Sequence, residues 1–396
     1  MNTAPSLFGY YLDRGILPTF ADLRGPEDLE RHAAGRRALL EDRLNLPVRL
    51  FQGARVLEFG PDSGENALIL AAWGATLTLV EPNPRAVDQI RRYFQAYGLE
   101  GRLEAVHPTD LAGYGRERAG DGTFDLVLAD GFIFSVKPDR LWMDLFHRLL
   151  APGGFALFCT HDPGGLFTDL LLKAVHARFR ALTGLEPLAA ARRLFQAKWD
   201  ALPHTRSLEA WVMDQMENPF VRLAHCHDPA RLARDLAGAG LGTWSAWPPA
   251  QGLQVHWHKH RPSLEERVEH EQRLHRLQAL SYLVGRSLPC RRPFPPERLG
   301  RLLSRLDGLI DAYSLVSAAA LGEDLEAAAA HLEREAAELR PGDLEQALAF
   351  LRCAGDLLRL MAAGDAPALE AFCAGDPVFI RSWGTPVHYR VVRPER

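Results

Sequence analysis

The pattern of hydrophobic and polar positions changes character along the chain. From residue 54 onwards, short apolar runs alternate with amphipathic stretches of about 10–15 residues. The runs predict β-strands over 54–59, 76–81, 102–106, 124–130 and 154–160, and the stretches between them predict helices over 64–74, 84–98 and 141–150. This alternation is typical of right-handed βαβ units, which form a parallel sheet covered by helices on both faces.

The flanking segments show other patterns. Before the first strand we predict irregular chain and then a helix from about Pro26 to Leu46. After the fifth strand come helices within 163–216, a helix at 229–240, an antiparallel hairpin of 241–247 with 253–260, and a nearly all-helical remainder that ends in a short β segment. We therefore divide the chain into an N-terminal arm and helix (1–50), an α/β domain (51–262) with a helical insertion at about 163–220, and a C-terminal helical domain (263–396).

Composition adds limits to this picture. The 396 residues are 47% hydrophobic and carry a net charge of −4, so no global positive field favours a nucleic acid or an anionic membrane. The five cysteines are widely spaced without a C-x-x-C pair, which argues against a disulfide framework or a cysteine zinc site. The N-terminus lacks the pattern of a signal peptide, so we expect a cytoplasmic protein.

The most informative stretch is VLEFGPDSGENAL at 56–68. After Glu58, a tight turn containing Gly60, Asp62 and Gly64 leads into a helix, and such turns favour glycine because they need positive φ or a close approach to a ligand. Glu81 ends the second strand, where an acid can accept both hydroxyls of a ribose.

The same turn argues against a nicotinamide cofactor. A dinucleotide fingerprint would place glycine at positions 60, 62 and 65, whereas this chain has Asp62 and Glu65 at the last two. Glu65 would put a negative charge at the helix N-terminus, where a pyrophosphate would otherwise bind. A cationic ligand without phosphate meets no such repulsion.

Five motifs in order resemble the class I S-adenosylmethionine-dependent methyltransferases. They are acid-x-Gly-x-x-x-Gly after the first strand, an acid ending the second, Asp-Leu after the third, Asp ending the fourth, and Leu-x-Pro-Gly-Gly before the fifth. The resemblance covers about residues 50–160 and departs from the family at Asp62, where glycine is usual. Since aspartate tolerates the left-handed conformation better than most residues, we expect the turn to form.

The resemblance implies a fold, a cofactor and a set of binding residues. The fold is a Rossmann-like sheet, mostly parallel with an antiparallel last strand, joined to a helical insertion and a C-terminal all-α domain. The cofactor is S-adenosyl-L-methionine, with Glu81 on its ribose and Asp110 on its adenine. The implied cofactor-binding residues are Glu58, Gly60, Pro61, Asp62, Gly64, Glu81, Pro82, Asn83, Asp110, Leu111 and Asp130.

Methyl transfer from a sulfonium is an in-line displacement, so positioning and desolvation supply much of the catalysis. A base is needed only where the acceptor must lose a proton, and the candidates are Asp130, His161 and Asp162. The Asp-Gly-Phe-Ile-Phe segment after the fourth strand lacks the proline pair that amino-methylating family members often carry. That difference argues against DNA-base or glutamine N-methylation.

We expect methylation of an oxygen or nitrogen atom of a small-molecule or sugar acceptor, without DNA or membrane partners. The alternatives are an RNA or protein methyltransferase and a non-catalytic, S-adenosylmethionine-binding scaffold. The C-terminal helical domain is a candidate homodimer interface. The aromatic residues of the insertion are interpreted either as a lid over the acceptor or as packing core: Phe179, Phe195, Trp199 and Trp211.

The histidines near 225–228 and 256–260 are spaced two apart, so on a strand they would lie on one face and could bind zinc. The sequence offers no further set of ligands at a separate position, and we therefore predict no metal site. Tyr10, Tyr11 and Arg14 are interpreted as part of a packed N-terminal arm, with closure over the cofactor as the alternative.

Overall fold

The computed structural model describes residues 6–17, 23, 25–117, 122–202, 207–250, 262–311, 315–336 and 339–395. Within these ranges, one sheet contains β1 (Arg55–Phe59), β2 (Thr76–Val80), β3 (Leu103–His107), β4 (Phe124–Ala129), β5 (Leu150–His161), β6 (Leu241–Trp247) and β7 (Val387–Pro394). The strand order is β3-β2-β1-β4-β5-β7-β6.

The pairing of the strands confirms the predicted Rossmann-like sheet. β1 pairs in parallel with both β2 and β4, β2 with β3, and β4 with β5, whereas β6 and β7 run antiparallel. β1, β2 and β4 are buried over nearly their whole length, as expected for strands covered on both faces.

The last strand comes from a distant part of the chain. β6 pairs with β7, in a register that joins Leu241 to Pro394 and Trp247 to Tyr389. The predicted hairpin partner, 253–260, lies outside the described residues. The sheet therefore takes one strand from the range 263–396, which sequence analysis assigned to a helical domain. The local sequence of Val387–Pro394 predicts a β segment, but it does not predict which strand this segment pairs with.

The described helices are α1 (Leu7–Arg14), α2 (Pro26–Ala38), α3 (Glu65–Ala72), α4 (Pro84–Ala96), α5 (Leu111–Glu117), α6 (Asp139–Leu149), α7 (Phe167–Thr183), α8 (Pro187–Asp200), α9 (Leu208–Trp211), α10 (Pro229–Gly238), α11 (Leu264–Val284), α12 (Pro296–Asp311), α13 (Leu315–Glu335), α14 (Pro341–Ala363), α15 (Ala366–Gly375) and α16 (Pro377–Arg381). α2 continues through a π-helical turn at Leu39–Arg43. None of these helices is both long enough and apolar enough to cross a membrane.

α1 lies in a region predicted to be irregular. Ser6 caps its N-terminus by accepting a hydrogen bond from the Gly9 amide at 2.9 Å, and Gly15 ends it in the left-handed conformation. The helix between the two caps has only about two turns. This is too short for its apolar residues to show the helical repeat from which a helix is predicted.

The chain divides into two compact units. The sheet unit comprises Met1–Thr160, Pro229–Glu271 and His388–Arg396, and the helical unit comprises His161–Asp228 and Gln272–Val387. Phe179, Phe195, Trp199 and Trp211 are at most 5% exposed and belong to the core of the helical unit. Their burial favours the packing interpretation of these aromatic residues over the lid.

Candidate functional site

The turn after β1 adopts the conformation expected from its glycines. Gly60, Asp62 and Gly64 have φ values of 61°, 49° and 92°, all in the left-handed region. A Cβ atom on Gly64 would lie 2.6 Å from Cγ1 of Ile90, so the close packing of α4 also requires glycine there. Asp62 occupies the family's usual glycine position in this conformation, and the turn forms as predicted.

Glu81 joins this turn to the one after β2. Its Oε2 atom accepts a hydrogen bond from the Asp62 amide at 3.1 Å, and its Oε1 atom accepts one from the Asn83 amide at 2.8 Å. Burial raises the pKa of Glu81 to about 8, and the nearby charge of Asp62 adds to this effect. Asn83 in turn caps α4 by accepting a hydrogen bond from the Arg85 amide.

Two further strand ends contribute acids at the same edge of the sheet. Asp110 follows β3 and accepts a hydrogen bond from the Gly113 amide at 2.6 Å, while Leu111 beside it is buried. Asp130 follows β4, and Glu58 is the penultimate residue of β1. Because carboxyl ends of parallel strands form the ligand crevice of open α/β sheets, these acids lie along the edge where a ligand site is expected. Pro61 and Pro82 lie in the loops that follow β1 and β2.

Asp130 is held by three hydrogen-bond donors. Its Oδ2 atom accepts from Nη1 of Arg36 at 2.7 Å, its Oδ1 atom accepts from Sγ of Cys159 at 3.3 Å, and the Tyr389 hydroxyl is a third partner. The negative charge of Asp130 keeps the pKa of Tyr389 well above its ordinary value, so the phenol remains a donor. The catalytic role of Asp130 stays a prediction.

Arg36 is a site residue that sequence reasoning missed. It lies on α2, and its side chain is 6% exposed. Burial lowers the pKa of its guanidinium, but the favourable interactions around it, the largest of them with Asp130, more than offset this, so the group stays charged. Burial raises the pKa of Glu58 to about 7, an effect that Arg36 opposes. Arg36 lies within a helical segment, Gly-Arg-Arg at 35–37, that matches no motif, so only the fold shows its position.

The N-terminal helix α1 lies against both turns. Phe8 packs on Phe132, with ring centroids 5.2 Å apart, and both rings lie within 4 Å of the position that a Gly60 Cβ would occupy. Nδ2 of Asn83 donates a hydrogen bond to the Ile16 carbonyl at 3.3 Å. α1 and the residues after it therefore pack against these two turns.

His161 and Asp162, the other two predicted bases, belong to the helical unit. Asp162 is 3% exposed, accepts a hydrogen bond from the Gly165 amide at 2.8 Å, and contacts Nε2 of His275 at 2.5 Å. His275, on α11, was not predicted. The catalytic roles of His161 and Asp162 remain predictions.

Within the ranges that the structure describes, no group of three or more histidine, cysteine or acidic residues is arranged to hold a metal ion. The histidines at 256–260 lie outside those ranges.

A family model described as a methyltransferase domain matches residues 30–246, which is more than half of the chain. This range contains every residue predicted to bind the cofactor. A comparison with curated proteins finds no significant match.

Solved structures also match the chain. A Pyrococcus horikoshii protein is 19% identical, with 39% of this chain and 66% of that one covered and a TM-score of 0.29. An S-adenosylmethionine-dependent methyltransferase from Mesorhizobium loti is 18% identical, with coverages of 34% and 57% and a TM-score of 0.28. For both, the match spans less than two thirds of the other protein.

A third match extends over nearly the whole chain. It is a putative sarcosine dimethylglycine methyltransferase from Galdieria sulphuraria, which is 11% identical, with 98% of this chain and 97% of that one covered and a TM-score of 0.36.

Proposed function

This chain belongs to the methyltransferase domain family, and from that premise we propose that it methylates an oxygen or nitrogen atom of a small-molecule or sugar acceptor. Its cofactor is S-adenosylmethionine. When bound, the cofactor supplies an electrophilic methyl group on a sulfonium. The residues of the chain bind the cofactor, orient the acceptor toward its methyl group and exclude water.

The residues at the strand ends fit this cofactor. Glu81 places a buried carboxyl group where a ribose diol needs acceptors, and its two oxygens accept the Asp62 and Asn83 amide hydrogen bonds. Glu65 is 4% exposed at the first position of α3 and accepts a hydrogen bond from Ser63 Oγ at 2.6 Å. A buried carboxylate at this helix N-terminus disfavours a pyrophosphate, which supports a cofactor without phosphate.

The observation that supports a small acceptor is the aromatic contact of Phe8 with Phe132 beside Gly60. The two rings beside the turn place apolar surface at this part of the site. We take this surface as favouring a compact acceptor over a nucleic-acid duplex or a folded protein surface. The net charge of −4 is in keeping with this proposal.

Positioning carries most of the proposed catalysis. Asp130 already accepts hydrogen bonds from Arg36, Cys159 and Tyr389, so its ion-paired carboxylate suits orientation better than proton removal. An acceptor that reacts as a neutral amine, or as a readily ionised hydroxyl, needs no strong base before attack. Holding such a group in line with the methyl donor is worth several kcal/mol.

The first experiment is calorimetric titration with S-adenosylmethionine and S-adenosylhomocysteine, with NAD as the comparison ligand. We expect micromolar binding of the first two compounds and none of NAD. Glu81→Ala should abolish binding, whereas Glu104→Ala, which removes an exposed acid on β3, should not. Tight NAD binding would contradict the argument from Asp62 and Glu65.

A screen with methyl-labelled cofactor then tests the acceptor class against small hydroxylated and amino compounds, RNA and protein extracts. Transfer only to RNA or to protein would contradict the small-acceptor proposal. Cofactor binding without transfer to any class would favour the scaffold alternative. A homodimer through 263–396 stays a prediction, which sedimentation of the same sample would test.

A further inference from the structure

A small cavity in the helical unit combines arginine with uncharged residues. Its volume is about 320 Å³, near the lower limit for pockets that hold small ligands. It lies where the chain after α11 meets α14 and α16, and all its lining residues belong to the segment Gln272–Val387 of that unit. Among the described residues that line it, the charged ones are Arg286 and Arg381, and Gln346 and Ser382 are polar.

The two arginines have no counterion within the described part of the chain. Neither Arg286 nor Arg381 forms an ion pair or a side-chain hydrogen bond there. Arg222 of the same unit, in contrast, is paired with Asp307 at 2.8 Å. Two like charges that face one cavity repel each other, and an anion bound between them would replace this repulsion with attraction.

A third cation lies behind the wall of the cavity. Lys198 of α8 is fully buried, and its Nζ atom donates hydrogen bonds to the carbonyl oxygens of Phe379 and Ser382, each at 2.6 Å. Ser382 is itself part of the lining, so the ammonium group is one residue away from the cavity. Burial lowers the pKa of Lys198 to about 7, and a nearby anion would favour its charged form.

The backbone holds both arginines at this place. Gly285, which follows α11, has a φ of 62°, and a Cβ atom on it would clash with the carbonyl oxygen of Trp383. This close approach places Arg286 beside the segment that follows α16. Asp376 caps the N-terminus of α16, the helix that ends at Arg381. Each guanidinium group therefore extends from a backbone segment that is fixed by its own contacts.

We propose that this cavity binds the phosphate group of a small molecule other than the cofactor, with Arg286 and Arg381 donating to the phosphate oxygens. A phosphate monoester carries a charge of about −1.5 to −2 and three strong acceptor oxygens. Two guanidinium groups and the donors of Gln346 and Ser382 match that charge and those oxygens. Apolar lining residues, Ala349 among them, face the organic part of the ligand. The site shares no residue with the candidate cofactor site and does not rest on the proposed function.

Calorimetric titration of the full chain at pH 7 and constant ionic strength tests the proposal. The probes are inorganic phosphate, methyl phosphate and malonate. Both phosphates should bind with a Kd of about 1 mM or below, and malonate at least about fivefold more weakly. Arg286→Gln and Arg381→Gln should each weaken phosphate binding by about tenfold or more, because each removes charge-assisted donors. Arg301→Gln, at an exposed position on α12 outside the lining, should stay within about twofold.

Ala349→Leu separates binding in the cavity from attraction to a positive surface. It leaves both arginines in place but fills part of the cavity, so it should also weaken phosphate binding by about tenfold or more. Ala363→Leu, at the exposed end of the same helix, should leave the affinity unchanged. Thermal unfolding without phosphate checks the fold of each variant, and phosphate should raise the Tm of the wild type more than that of the arginine variants.

Four results would overturn the proposal. The first is a wild-type Kd for phosphate above about 10 mM. The second is equal weakening by Arg301→Gln, or unchanged affinity in Ala349→Leu, since phosphate would then act as a surface counterion. The third is equal or tighter binding of malonate, which would assign the cavity to carboxylates. The fourth is displacement of phosphate by saturating S-adenosylhomocysteine, which would place the probe in the cofactor site.

Discussion

Glu81 makes cofactor affinity depend on pH. Its pKa of about 8 means that the carboxyl is largely protonated at neutral pH, whereas accepting two ribose hydroxyls favours the ionised form. The affinity for S-adenosylhomocysteine should therefore rise with pH up to about 8, by at most about tenfold per unit, and level off above that. Calorimetry between pH 6 and 9 measures this dependence.

Glu81→Gln provides the comparison for that titration. The amide does not titrate, so the upper part of the pH dependence should disappear while weaker binding remains. Glu58, with a pKa of about 7, should still contribute below that pH. An affinity that falls as pH rises from 6 to 8 would contradict this account of the site.

Gly64 is required by conformation and by space together. Gly64→Ala would place a Cβ 2.6 Å from Ile90 at a φ of 92°, and should lower the free energy of unfolding by about 2–4 kcal/mol. Gly98→Ala is the matched control, because Gly98 has a φ of 65° with nothing within 4 Å of its Cβ position. It should cost only about 1 kcal/mol in denaturant unfolding. Equal losses would show that the contact with Ile90 is unimportant.

At the scale of elements, α1 links the N-terminus to the site. Phe8→Ala removes the ring beside Phe132 and Gly60, and should weaken S-adenosylhomocysteine binding by about threefold to tenfold, as expected for one lost aromatic contact. Leu12→Ala, on the exposed side of the same helix, should leave the affinity unchanged. Similar Kd values for the two variants would mean that α1 does not contribute to the site.

A buried ion pair holds β7 to α11. Arg390 and Glu271 form a salt bridge with side chains 7% and 8% exposed. Glu271→Ala would leave a buried, uncompensated arginine and should destabilise the protein by about 3–5 kcal/mol. Asp235→Ala, which breaks an exposed pair on α10, should cost less than about 1 kcal/mol.

The double variant Glu271→Leu, Arg390→Met separates the effect of charge from that of packing. It removes both charges and should be more stable than Glu271→Ala. Denaturant unfolding of the three variants gives the comparison, and a double variant less stable than the single one would show that the pair contributes net stability.

Residue patterns predicted local elements of the fold better than they predicted connections between distant parts of the chain. The first five strands and the glycine turn are local features. Apolar runs predict the strands, and glycines predict the positive φ values of the turn, each from neighbouring residues alone. Arg36 and Tyr389 lie far from that turn along the chain, and nothing near either position indicates that the fold brings them to Asp130. The helical unit likewise combines 161–228 with 272–387, two segments that are not contiguous in sequence. A division of the chain into consecutive domains cannot represent such a unit.

The charge of the whole molecule yields the last prediction. With a net charge of −4, the chain has no overall attraction to a phosphate backbone, so single-stranded RNA and duplex DNA should show no micromolar binding in fluorescence anisotropy at about 50 mM salt. Saturating S-adenosylhomocysteine should not change this result, because the cofactor adds no basic surface. Methyl transfer to a small acceptor should correspondingly keep a nearly constant KM between low and physiological salt. Micromolar binding that weakens steeply with salt would instead indicate a local basic surface and favour RNA as the acceptor.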